Sequence, residues 1–400
     1  TLDLYRGHVG VGLFLAAVAA VRDDDDLADR SRRILRPVRS AVEEGDAARG
    51  DDATGGSDDV GGEVAKLGLG GMDGRGSVAY GLLVAGDLLD DDDLVASART
   101  AAGLTTREEI TADQNLDVMA GSAGELLAQV AVYERTGDEA ALERARWCGD
   151  RLLDAATETD AGYRVPTAGD GDDADRRFAF AHGVGGVGYA LVKLAEVTGE
   201  ETYAEVGRDA LELDAELWRR DGNRRGGASA DGSDENIGES DESGDATDEN
   251  ATIWGWCNGA VGVGTGRVAA ADAVADEGGA VGASGAVGDL GDLSVVRGDL
   301  RADPSREDSL CCGSVGRALF LLDAGEVVGD SSLADRGEAL FGRTLDRGER
   351  EGRLRLSNHL PMLPRLGLFT GIAGVGYVAL QLEAREADVD VRLPNVTRLE

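Results

Sequence analysis

Lysine is almost missing from this sequence. Of its 40 basic residues only Lys66 and Lys193 are lysine, and 77 aspartates and glutamates leave the 400-residue chain at −37. That balance excludes a basic face for nucleic acid and disfavours an anionic membrane surface. So many like charges repel one another in dilute salt. In molar salt the Debye length drops to about 3 Å and the repulsion is screened. The acidity therefore points to a salt-rich cytoplasm, that of an extreme halophile. The rival reading is an acidic face that recruits a basic peptide. No apolar run reaches the roughly 18 residues of a membrane helix, and no signal peptide precedes the first motif. Aromatics make up only 4%. Four cysteines in 400 residues make no disulfide framework, and their clustering fits a reducing compartment.

What the chain does have is one glycine pattern, seven times over. The copies are GHVGVG (7–12), GRGSVA (74–79), GSAGEL (121–126), GVGGVG (183–188), GAVGVG (259–264), GSVGRA (313–318) and GIAGVG (371–376). Each has glycine first and again three residues on, except at Ser77. Each runs into an apolar stretch. Amphipathic stretches lie between copies, at Ala28 to Glu44, Asp138 to Thr157, Glu200 to Arg219 and Ser331 to Arg347. A fixed unit repeated end to end predicts one architecture over residues 1–400. Helices apolar all round belong inside and two-faced helices outside. Seven such hairpins close into an all-α, double-layered α/α toroid.

Three segments stand apart. Gly45 to Gly62 reads as an Asp/Gly loop. Residues 219–252 form an acidic Ser/Gly-rich insert with little to bury, expected to be disordered. Glu277 to Asp308 is helix-poor, with a weak outer helix expected around Val268 to Asp276. Six outer segments against seven motifs imply a seventh outer helix before Thr1, and so a longer parent protein.

All inner helices follow their motifs, so their N-termini gather at one end of the ring. Free N–H groups and positive dipole ends there would favour anions such as thiolates. The chemically capable residues sit at that mouth. Asp117 lies four before Gly121, His182 one before Gly183, Cys257 two before Gly259, and Cys311 and Cys312 two and one before Gly313. Arg6, Asp73 and Thr370 hold equivalent places and line the rim. Three converging cysteines suit a zinc site with an open fourth position. The alternatives are a packed cysteine cluster, a capping role for His182 and local backbone bonding by Asp117. Cys148, His8 and His359 read as structural or solvent residues, and Trp254 and Trp256 as packing, with Trp256 a possible pocket wall.

The segments LDVMAGSAGELL (116–127), AHGVGGVGYAL (181–191), WCNGAVGVG (256–264), LCCGSVG (310–316) and GLFTGIAGVGYVAL (367–380) resemble the lanthionine cyclases. The resemblance is strongest to the C-terminal cyclase domain of class II lanthipeptide synthetases, in the subset that uses Cys-Cys-Gly. It implies an α/α toroid with Zn2+ on Cys257, Cys311 and Cys312, His182 as acid/base and Asp117 as its partner. The implied reaction adds a peptide cysteine thiol to dehydroalanine or dehydrobutyrine, closing a thioether ring. The implied partners are a dehydrated precursor peptide and an upstream dehydratase domain. Asn258 departs from the aromatic that stand-alone cyclases carry there. A silent scaffold or peptide-binding toroid, and a transferase adding glutathione to dehydro residues, remain as alternative functions. Sugar-hydrolysing toroids need paired acids and no cysteines, so the cysteine constellation argues against them.

Overall fold

Two concentric layers of helices form the molecule, and each inner helix starts at a glycine motif. The computed structural model describes residues 1–51, 63–159, 162–166, 178–218, 255–257, 259–276, 307–356 and 365–387. Thirteen helices are described: α1 (His8–Arg22), α2 (Asp25–Asp51), α3 (Arg75–Leu88), α4 (Asp92–Gly103), α5 (Arg107–Ala112), α6 (Ser122–Thr136), α7 (Glu139–Ala155), α8 (Val184–Thr198), α9 (Glu201–Leu217), α10 (Ala260–Asp276), α11 (Ser314–Val327), α12 (Ser331–Glu351) and α13 (Ile372–Ala387). A short antiparallel pair, β1 (Thr157–Thr159) with β2 (Gly162–Arg164), follows α7. The inner helices α1, α3, α6, α8, α10, α11 and α13 pack in that order, and α13 packs back on α1. The ring is closed, as the toroid expectation requires.

Burial separates the layers as the sequence pattern does. In α8 every residue from Val184 to Ala195 is buried. In α12 the buried residues are Leu333, Gly337, Leu340, Phe341, Thr344 and Gly348, one face at three- and four-residue steps. Each described outer helix (α2, α4, α7, α9 and α12) packs on the inner helix before it. Four of them start on an aspartate whose side chain accepts a first-turn N–H: Asp24, Asp91, Asp138 and Asp330. Layers meet where side chains are missing. A Cβ on Gly188 would stand 2.7 Å from the Gly207 carbonyl oxygen, and one on Gly207 would stand 2.8 Å from that of Gly188. Close contact of this kind replaces the aromatic filling that the sequence lacks.

One expected outer helix is not there. Val268 to Asp276 is the second half of inner helix α10. Val268, Ala269 and Ala270 are buried there, as in the first half of the helix. The rest of the helix-poor stretch to residue 306, most of the Asp/Gly loop and the acidic insert lie outside the described residues. No helix among the described residues is long and apolar enough to cross a membrane.

The glycine pattern has a steric cause. At the second glycine of six motifs, a Cβ would overlap the carbonyl oxygen of the residue six before. The pairs are Gly10 with Leu4, Gly124 with Val118, Gly186 with Phe180, Gly262 with Trp256, Gly316 with Leu310 and Gly374 with Leu368. The loop before each helix folds back over its first turn. Ser77 is the exception, and there the residue six before is itself glycine, Gly71, beside Gly70 at φ 128°. The Ser77 hydroxyl instead donates to the Gly74 carbonyl at 2.6 Å.

Gly374→Ala should therefore lower stability by about 1–3 kcal/mol or more, through overlap with the Leu368 carbonyl. Gly342→Ala, exposed in α12 with open space around its Cβ, should raise it by about 0.4–1 kcal/mol. Thermal or denaturant unfolding of the two variants compares them directly. Equal behaviour would refute the steric account.

Candidate metal centre and acid–base pair

The loops before the inner helices are stitched together around the mouth by their backbones. The N–H of Tyr5 donates to the Met72 carbonyl, Met72 to Met119 and Met119 to Ala181, at 3.1, 3.3 and 3.1 Å. Trp256 donates to Cys311, Cys311 to Phe369 and Phe369 to Tyr5, at 2.8, 2.9 and 3.0 Å. Every one of these six links runs in the same sense around the ring. Tyr5, Met72, Met119, Ala181, Cys311 and Phe369 all stand two residues before a motif glycine. So does Cys257. The residues one place earlier, Leu4, Val118, Phe180, Trp256, Leu310 and Leu368, are buried in the core. The next residue of each loop is buried as well, Tyr5 apart, and from this register Cys257 and Cys311 reach one another.

First-turn N–H groups are not left free there, contrary to expectation. Carbonyls seven residues earlier take them: His8 donates to Thr1, Arg75 to Gly68, Ala123 to Leu116, Ser314 to Glu307 and Ile372 to Arg365. The folded-back loop caps its own helix, so the mouth attracts anions through the dipole rather than through open donors.

The ring brings Cys257 to Cys311 and Cys312. Their sulfurs lie within 4.8 Å of one another. Cys257 Sγ is 2.7 Å from Cys311 Sγ, which is 3.2 Å from Cys312 Sγ. Cys257 and Cys311 are buried and Cys312 is partly open. Three soft donors in that span suit a divalent metal with bonds of about 2.3 Å to sulfur. The thiols do not ionise alike. Hydrogen bonds from Cys257 and Cys311 hold Cys312 down at about 4, against burial and with help from nearby His182. Cys311 is pushed well up by its hydrogen bonds to Cys257 and Cys312, by burial and by their charges. The cluster as it stands favours one thiolate; a dication would support three.

His182 and Asp117 form a pair beside this cluster. His182 Nδ1 is 2.9 Å from Asp117 Oδ2, and Asp117 Oδ1 accepts the Ala120 N–H at 2.8 Å. The carboxylate is 4% exposed and the imidazole 28%. Asp117 thus satisfies a local N–H and stands within hydrogen-bond distance of the ring. With Nδ1 facing Asp117, Nε2 is the ring nitrogen that this contact leaves open. At the rim, burial and the Asp3 and Asp117 carboxylates raise the Asp73 carboxyl, while Arg6 pulls it down. Trp256 is 3% exposed and packs on Phe180 and Phe369, 5.5 and 5.0 Å between ring centroids, behind the mouth. Cys148 is buried in α7, far from these loops in the chain and outside the cluster. His8 is exposed, bonded to the Thr1 carbonyl at 2.9 Å. Asn258, Trp254 and His359 lie outside the described residues.

Four residues escaped the sequence reading. Tyr5 Oη donates to Cys311 Sγ at 2.8 Å. Its place two before Gly7, the register of Cys257 and Cys311, was the available signal. The others are buried carboxylates that anchor the site loops. Asp113 accepts the N–H groups of Asn115, Leu116 and Ser122, steadying the loop of Asp117, where Leu116 sits at φ 61°. Asp214, on α9, accepts those of Ala179 and Gly185 at 2.7 and 3.2 Å, steadying the loop of His182, where Ala179 sits at φ 85°. Asp308 accepts the Arg355 N–H at 2.6 Å and pairs with Arg347, ahead of Cys311. An aspartate on the apolar stripe of α9, between Leu211 and Ala215, was the visible hint for Asp214.

Residues 1–396 match the family model described as "Lanthionine synthetase C-like protein". Among solved structures, one named "Nisin cyclase" superposes with a TM-score of 0.59 at 15% identity, over 98% of this chain and 90% of that one. At that identity the likeness speaks for the fold, an α/α toroid. No curated protein matches the sequence.

Asp214 generates a pH-dependent prediction. Burial raises its carboxyl from 3.8 to about 7, against the pull of its two N–H donors and Arg267. The folded chain therefore holds a proton there that the unfolded chain releases near 3.8. Stability from this group is full below that value and is lost as pH rises through about 7. Asp214→Asn keeps an acceptor for both N–H groups and should flatten this slope. Asp214→Ala orphans them and should cost about 1–3 kcal/mol. Unfolding curves from about pH 5 to 8 test both; parallel slopes for wild type and Asp214→Asn would refute the assignment.

Proposed function

The chain belongs to the lanthionine synthetase C-like family, and from that premise we propose that it is a zinc-dependent thioether cyclase. Its substrate is a peptide carrying cysteine and dehydroalanine or dehydrobutyrine. The supporting observation is the convergence of three thiols with a His–Asp pair at one mouth.

Cys257, Cys311 and Cys312 would hold the zinc. When bound, it would supply Lewis acidity that keeps a peptide thiol deprotonated at neutral pH. The reaction is an addition with no leaving group. The peptide sulfur bonds to the β-carbon, the double-bond electron pair moves toward Cα and its carbonyl, and a proton arrives at Cα. His182 Nε2 takes the thiol proton and returns one to Cα. An imidazole can both accept and donate a proton, which suits it to both transfers. Asp117 fixes the tautomer and balances the imidazolium, its own geometry held by Ala120 and, through the loop, by Asp113. Protonation by one group fixed on one side of the mouth gives one stereochemical outcome.

The Cys311-Cys312 pair supports a place among class II synthetase cyclase domains, which work beside a dehydratase on the same precursor. The −37 charge supports a salt-rich cytoplasm as the working medium, and the few, clustered cysteines support a reducing one.

Metal analysis after purification in molar salt should find one zinc per chain in the wild type, and loss or loosening in Cys312→Ala. His182→Asn should keep its zinc and slow ring closure by about 10²- to 10⁴-fold, the scale of general acid–base catalysis. A folded, reduced wild type without zinc sinks the reading and leaves a scaffold. A fully active His182→Asn removes the histidine from it.

A further inference from the structure

A centre with three thiolates carries a hazard. The substrate's dehydro residue is a soft electrophile, and any electron-rich sulfur at the mouth can attack it. If Cys311 Sγ bonded to the β-carbon, the electron pair would move to Cα and be protonated there. The enzyme would be alkylated by its own substrate and lose a metal ligand. Something must rank the sulfurs.

Tyr5 has the position to do so. Its hydroxyl donates to Cys311 Sγ at 2.8 Å, while Cys257 Sγ is 4.0 Å away. The hydrogen bond therefore falls chiefly on one of the three sulfurs. The ring is held from several sides. It stacks on Phe369, 5.3 Å between centroids at 16°, and the Arg6 guanidinium lies 5.8 Å from its centroid. Its backbone is tied into the mouth by the bonds to Met72 and Phe369. The phenol cannot swing away without leaving the Phe369 stack and the Arg6 contact. A hydrogen bond to a thiolate withdraws charge from sulfur and lowers its nucleophilicity.

Building on the cyclase reading, we propose that Tyr5 is a positioning residue that quenches Cys311. The attack is then left to the peptide thiol rather than to a ligand of the metal.

The test uses the zinc-loaded full chain and N-ethylmaleimide as a soft electrophile. Zinc release is followed with a chromogenic chelator, and the modified cysteine is located by peptide mass spectrometry. Tyr5→Phe keeps the stacking ring and removes only the hydroxyl. It should release zinc on the order of tenfold faster than wild type, with the label on Cys311. In the wild type alone, Cys311 should be the slowest of the three to label, a result that stands even if the variant folds poorly. In cobalt-loaded protein, loss of the hydroxyl should move the sulfur-to-metal charge-transfer band to lower energy. Equal release rates in a zinc-bearing pair of proteins, or Cys311 labelling as fast as Cys257 in wild type, overturns the proposal and leaves the cyclase reading intact. A wild type that holds no zinc defeats both.

Discussion

The site rests on a chain of backbone hydrogen bonds around the mouth. Among the described residues, six of the seven loops donate an N–H to the next, from Tyr5 through Met72 and Met119 to Ala181, and from Trp256 through Cys311 and Phe369 back to Tyr5. These bonds set the register of each linked loop against its neighbour. Cys257 and Cys311 are 54 residues apart, yet the register brings their sulfurs together. The same register carries Tyr5 to Cys311 from the other end of the chain.

That chain of bonds needs loops lying almost flat on the helix ends, and the glycines permit it. Where a Cβ would strike a loop carbonyl the motif keeps glycine; where the loop itself has glycine, at Gly70 and Gly71, a serine is tolerated at position 77. The folded-back loop also caps the helix with its own carbonyls. Glycine abundance thus serves two ends: loop closure over the first turn and close crossing of inner and outer layers.

Charge is used sparingly inside an otherwise very acidic protein. Asp113, Asp214 and Asp308 are buried and bonded to backbone or arginine, one beneath each of the loops bearing Asp117, His182 and the cysteine pair. Leu116 and Ala179, both at positive φ, lie in the first two of these loops. Left-handed backbone at non-glycine residues is costly and persists only where the surroundings impose it. Here the imposing groups are carboxylates, and the constrained residues lie one and three places from Asp117 and His182.

Much of this was legible in the linear sequence. The seven motifs, their spacing and the two kinds of helix between them determined an all-α ring, because a repeated unit with one apolar helix and one two-faced helix can bury itself only by stacking on its neighbours. The cysteines and His182 were found by their distance from motif glycines. Three things needed the tertiary structure. The extent of inner helix α10 through Val268 to Asp276 is a matter of backbone path, which composition alone does not separate from a weak outer helix. The capping of first-turn N–H groups depends on loop path. The roles of Tyr5 and Asp214 depend on contacts with partners 306 and 35 residues away, set by ring closure and layer packing rather than by local pattern.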